Sequence, residues 1–220
     1  MFEIFKRIFD FLASFTAIII LMPFLILVMS VLKFTGEGEI FYFQKRVGKD
    51  NKDFFIYKFA TMLKDSEKIG SGIYTAKNDS RILPIGNFLR KTKINELPQL
   101  FNIFLGHISI VGPRPLIRRT FNLYSENDQK LISSIKPGLT GVGSIVFRNE
   151  EELLNRASGN LEEYYEKNIT PFKAELEKWY VKNKSFKVDI IIIFITAWAI
   201  PFKNTMLPWK FFKDLPRLDK

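Results

Sequence analysis

The chain has 220 residues, a length that suits one domain with an appendage. Apolar residues make up 47% of it and Phe occurs 23 times, enough to fill a core and still leave apolar surface, while a net charge of +10 points to phosphate-bearing partners: nucleic acid, anionic lipid or nucleotide. The absence of Cys excludes disulfides, thiol catalysis and cysteine metal sites, and a single histidine, His107, excludes a multi-histidine metal site.

Lys6 and Arg7 precede a run from Phe11 to Leu32 that carries no charge. At ~1.5 Å per residue, such a helix just spans a hydrocarbon layer of ~30 Å. The run is too long for a secretory signal and lacks a small-residue cleavage pattern. Pro23, near its middle, removes a backbone hydrogen bond and predicts a kink. A kinked helix either crosses the bilayer or returns to the face it entered. Positive charge on both sides, with Lys33 after the run, favours return.

Ile40 to Phe59 alternates as two short strands around a turn at Gly48 to Asn51, which predicts a hairpin. It carries Gln44, Lys45, Arg46 and Lys58, candidate phosphate contacts. Met62 to Ser80 is polar, contains Gly70 and Gly72, and reads as a mobile loop or lid. Arg81, Arg90, Lys91 and Lys93 then concentrate positive charge ahead of a polar pair, Asn95-Glu96.

The stretch Lys91 to Pro115 reads as the chemical centre. Asn95 is a good N-cap type, Pro98 fits a first helical turn, Leu97, Leu100, Phe101, Phe104 and Leu105 form one apolar face, and Gly106 is a plausible stop. Free N–H groups at such a helix start attract anions. Asn95 and Glu96 are the candidate catalytic residues, with Glu96 also the candidate metal ligand. Arg114, stiffened between Pro113 and Pro115, is the candidate phosphate clamp, with Arg90, Arg81 and Lys58 adding charge. Glu96 and Arg114 are expected to act on one pyrophosphate.

Arg118 starts a predicted helix reaching about Ile135. Lys136 to Ser144 is a glycine-rich loop that matches neither the P-loop nor the dinucleotide fingerprint. Glu150 to Lys182 is charged and helical, with a break near Thr170-Pro171. Asp189 to Phe202 is apolar but too short to span, so it is a core or an interfacial helix. Trp198, Trp209, Phe211 and Phe212 among lysines suit a headgroup layer. No helix-turn-helix, zinc finger or RNA-binding signature accompanies the positive charge, so nucleic acid is not expected as a partner.

Eight stretches occur in a fixed order: Phe5-Lys-Arg-Ile-Phe-Asp10, Gln44-Lys-Arg-Val-Gly48, Tyr57-Lys-Phe-Ala-Thr-Met62, Asn78-Asp-Ser-Arg81, Gly86-Asn-Phe-Leu-Arg90, Asn95-Glu-Leu-Pro-Gln-Leu100, Val111-Gly-Pro-Arg-Pro115 and Lys136-Pro-Gly-Leu-Thr-Gly141. As a set they resemble the bacterial sugar transferase family, the monotopic polyprenol-phosphate phosphoglycosyl transferases. The resemblance implies an α+β fold, mostly helical with a small β-hairpin, attached to the membrane by an N-terminal kinked re-entrant helix and interfacial amphipathic helices. Its expected organisation is a membrane-inserted segment at 1–35, a cytoplasmic catalytic domain at 36–189 and an apolar interfacial segment at 190–220. The implied location is the bacterial inner membrane, catalytic domain on the cytoplasmic face.

The implied reaction moves a sugar-1-phosphate from a UDP-sugar to polyprenyl (undecaprenyl) phosphate, releases UMP and needs Mg²⁺. It would be the first membrane step of exopolysaccharide, lipopolysaccharide or glycoconjugate synthesis. In the family, an Asp at the place of Asn95 is the nucleophile, the Glu at 96 binds metal, and a proline at the place of Pro23 turns the re-entrant helix. Three positions depart from the pattern. Asn95 replaces that Asp, Ala60 replaces a basic residue, and His107 replaces an Asp. An amide is a poor nucleophile, so either Glu96 attacks, or the lipid phosphate attacks directly, or the chain is an inactive membrane-attached homologue that binds nucleotide sugar or lipid phosphate. Residues 62–80 and 142–160 are the expected sugar selectors.

Overall fold

A computed structural model of the chain describes residues 1–66, 79–148, 161–202 and 206–217. Most of the expected lid, and the second half of the other expected selector, lie outside the described residues. The fold is mostly helical with a small hairpin, as the sequence suggests. Contacts group the chain into two units built from interleaved segments. One comprises residues 1–10, 45–54 and 106–220, and the other residues 11–44 and 55–105.

Helix α1 (Phe2–Lys33) is continuous through Pro23. Its most apolar 18-residue window has a mean hydropathy of 2.8, with only 22% of that window buried. Ile19, Ile20, Ile26 and Leu27 are all more than half exposed. Burial against protein is therefore not what balances this apolar surface.

In the unit 11–44 with 55–105, Leu25, Val28 and Leu32 of α1 pack with Phe59 and Leu89. The hairpin strands β1 (Phe41–Val47) and β2 (Asp53–Phe59) form as predicted. The turn between them places Asp50 and Asn51 at positive φ, a conformation that Asp and Asn tolerate better than most residues. Helix α2 (Pro84–Lys91) starts against Thr61. A Cβ on Gly86 would lie 2.2 Å from the Thr61 carbonyl oxygen, so only glycine lets the helix approach this closely. Helix α3 (Gln99–Leu105) ends at Gly106, whose φ of +83° makes it the predicted stop.

In the other unit, strands β3 (Ser109–Val111) and β4 (Gly138–Thr140) pair in parallel, with Ser109 opposite Gly138 and Val111 opposite Thr140. The sequence reads 136–144 as a loop because each strand is only three residues long and glycine breaks any alternation. Between the strands, a Cβ on Gly138 would lie 2.1 Å from the Gly112 nitrogen, so two backbones touch there directly. The helix predicted from Arg118 to Ile135 is two: α4 (Arg118–Phe121) and α5 (Glu126–Ile132). Ser125 separates them by accepting the N–H of Asp128 at 3.2 Å as an N-cap.

Helix α6 (Val142–Val146) follows β4. After α7 (Leu161–Tyr164), a π turn at Tyr165–Ile169 leads into α8 (Thr170–Asn183), with Pro171 in its first turn, where the sequence places a break. Helix α9 (Phe186–Phe202) buries Ile192, Ile195 and Ala199 in the core with Leu176 and Tyr180, and exposes Ile190, Phe194, Trp198 and Phe202. The core reading holds for the inner face, and the outer face carries exposed apolar side chains. Helix α10 (Leu207–Phe211) completes the described order. Lys6 of α1 pairs with Asp189, whose carboxylate also accepts the Tyr180 hydroxyl at 2.7 Å. Asp10 accepts the N–H of Ile110 at 3.0 Å and so ties the first turns of α1 to β3.

Candidate functional site

The polar pair lies in a tight turn. Lys93 adopts a left-handed conformation (φ +62°), and Ile94–Glu96 then form one turn of 3₁₀ helix ahead of α3. Asn95 therefore sits inside a turn and does not cap α3, a correction to the sequence reading. Its side chain is buried, and Oδ1 has no hydrogen-bond partner among the described residues. Leaving a buried carbonyl oxygen unpaired costs about 1–3 kcal/mol, so this atom is a ready acceptor or cation ligand.

Glu96, the next residue, stays partly open, with its carboxylate 3.6 Å from the Lys58 ammonium. Asn102 sets this pairing. Fully buried, it donates Nδ2–H to the Phe55 carbonyl at 2.8 Å and accepts the Tyr57 N–H at 2.9 Å. Those two bonds fix α3 along β2, and Lys58 is the next residue on that strand. Periodicity reads Asn102 as an ordinary polar position. Only its amide, sized to match one backbone donor and one acceptor, hints at the role.

Arg90 closes α2 and reaches the Met62 sulfur at 3.8 Å. Arg81 is buried and its guanidinium is taken up internally. Nε meets one carboxylate oxygen of Asp79 at 2.8 Å, Nη2 meets the other at 2.6 Å, and Nη1 donates to the Ser66 carbonyl at 2.7 Å. A phosphate at Arg81 would have to displace this fork, which suits Arg81 to shaping the loop start. The Asp79 carboxylate pushes the Arg81 pKa further up.

Arg114 belongs to the other unit and is exposed between two buried prolines. The turn is held by backbone: the Pro113 carbonyl accepts the Gly138 N–H at 2.8 Å, and the Pro115 carbonyl accepts Arg46 at 3.1 Å. Beneath it lies Glu177 of α8, which sequence reading passed over as part of a charged helix. It is buried and accepts the Arg114 N–H at 3.2 Å. Burial pushes the Glu177 carboxyl up to about 7, against the pull of that N–H and of the Lys173 and Arg114 charges.

No cluster of three or more His, Cys, Asp or Glu side chains occurs among the described residues. The donors at the polar pair are the two oxygens of Glu96 and the unpaired Oδ1 of Asn95. Hard oxygen donors in this small number fit a magnesium ion, which keeps several waters and takes substrate phosphates as further ligands.

The bacterial sugar transferase family matches residues 1–203. The chain belongs to that family. As a member it is a transferase. It is similar to an exopolysaccharide production protein of Sinorhizobium fredii, 32% identical over 89% of this chain and 84% of the relative. It is also similar to the UDP-glucose:undecaprenyl-phosphate glucose-1-phosphate transferase of Klebsiella pneumoniae, 33% identical over 88% of this chain and 39% of the relative. A third relative is the UDP-N-acetylgalactosamine-undecaprenyl-phosphate N-acetylgalactosaminephosphotransferase of Aeromonas hydrophila, 32% identical over 89% of this chain and 43% of the relative. The shared region in those two larger proteins is thus less than half of each.

Proposed function

We propose that the protein transfers a sugar-1-phosphate from a UDP-sugar to undecaprenyl phosphate and releases UMP, at a membrane surface. The names of its relatives support the substrate pair. The buried, unpaired Oδ1 of Asn95 beside the Lys58–Glu96 pair is the observation that carries the reading. The exposed apolar face of α1 supports membrane attachment.

Each residue has a separable task. Glu96 and Asn95 would hold Mg²⁺, which would neutralise charge on the diphosphate. Lys58 orients Glu96 through their ion pair. Arg90 and Arg114, each in its own unit, are phosphate-binding residues. Asn95 is a neutral amide and does not attack phosphorus. The acceptor's phosphate oxygen attacks the sugar-bearing phosphorus, a new P–O bond forms, and the bridging P–O bond breaks with its electron pair leaving on UMP.

The test is UMP release from a panel of UDP-sugars with undecaprenyl phosphate and Mg²⁺. Release with at least one donor, dependent on the lipid, is expected. No release with any donor supports the inactive, ligand-binding alternative. Isotope exchange between UMP and the UDP-sugar without lipid reads the route. Direct attack predicts no exchange in the wild type, and Asn95→Asp should restore it if a carboxylate there can attack.

A further inference from the structure

We propose that Glu177 is a positioning residue for Arg114, holding the Pro113–Arg114–Pro115 turn from inside the protein so that the guanidinium meets a phosphate. The inference rests on the phosphate-binding role proposed for Arg114. Neither Pro113 nor Pro115 has an N–H, so the Arg114 amide is the only backbone donor in the turn. That donor goes to Glu177 Oε1 at 3.2 Å. The space is reserved for the carboxylate: a Cβ on Gly143, in the first turn of α6, would lie 2.4 Å from Oε1.

A neutral acceptor would satisfy one N–H at less cost. Glu177 is instead a carboxylate, almost fully buried, and its Oε2 has no partner among the described residues. The groups that face it are Lys173, one turn earlier on α8, and Arg114; α6 offers no titratable side chain. The Lys173 ammonium donates to the Tyr165 hydroxyl at 2.8 Å and lies over the Phe147 and Tyr165 rings at 5.0 and 4.8 Å. What the negative charge adds is a fixed field under the one exposed cation of the turn, on the side away from solvent. That field and the N–H bond together limit where the Arg114 backbone can go.

The experiment is a double-mutant cycle on the full chain in detergent, with UDP as probe and calorimetry as readout at pH 8. Arg114→Ala and Glu177→Gln are each expected to weaken UDP binding about tenfold, the size of one charge-assisted hydrogen bond. The double variant should be no weaker than Arg114→Ala alone. Gly143→Ala, which crowds the carboxylate without removing it, should reproduce the Glu177→Gln loss and serves where that variant does not fold. Equal losses from Glu177→Gln with Arg114 present or replaced overturn the inference and leave the role of Arg114 standing. Unchanged UDP binding in Arg114→Ala overturns both.

Discussion

Glu177 shows how a single buried charge divides stability from function. Its folded-state pKa of about 7 lies above its ordinary value near 4.5, so the folded protein binds that proton more tightly than the unfolded chain. The resulting stability is fully present below pH 4.5 and is lost as pH rises through 7, on the order of 3 kcal/mol in all. Glu177→Gln removes the titration. In urea unfolding, its stability relative to the wild type should therefore improve from pH 5 to about pH 7 and level off by pH 8, while UDP binding is weaker than in the wild type. A wild-type advantage that is constant with pH would mean the carboxyl does not titrate in this range. Glu96 is expected to behave in the opposite way. It is partly open and paired with Lys58, so Glu96→Gln should leave stability nearly unchanged and lower the rate of UMP release roughly hundredfold, the scale of losing one well-placed electrostatic contact.

Among the elements, those with strong local signals were legible in the sequence and those made by tertiary contact were not. The hairpin, the Gly106 stop and the break at Pro171 each follow from turn or helix chemistry in a few adjacent residues. The parallel pair β3–β4 is three residues on each side and depends on Gly112 meeting Gly138, positions 26 apart, so no local pattern announces it. The anchoring of α3 on β2 is similar, because Asn102 and the backbone of residues 55 and 57 are distant in sequence. Asn102→Ala should cost about 2–4 kcal/mol, two backbone partners being left unpaired, and should lower the urea midpoint. Gly138→Ala should cost as much or more, since its methyl group would collide with backbone rather than with a mobile side chain. Of the candidate residues, the types at 58, 95 and 96 in one unit and at 114 in the other could be named from the sequence. Their supports, Asn102 and Glu177, could not, because each works through burial.

For the whole molecule, the central claim is that a transferase of this family carries out phosphosugar transfer with an amide at position 95. The apolar exposed face of α1 predicts that the full chain sediments with undecaprenyl-phosphate vesicles, and that Glu replacements at Ile20 and Leu27 release it. Membrane attachment alone does not separate an active enzyme from a silent homologue. The measurement that does so most directly is lipid-dependent UMP formation by purified wild-type chain across the UDP-sugar panel, run beside Glu96→Gln. Phosphosugar transfer at the Asn95-Glu96 turn predicts UMP with at least one donor and its loss in the variant. UMP formed at an equal rate by both proteins, or by neither, would contradict it.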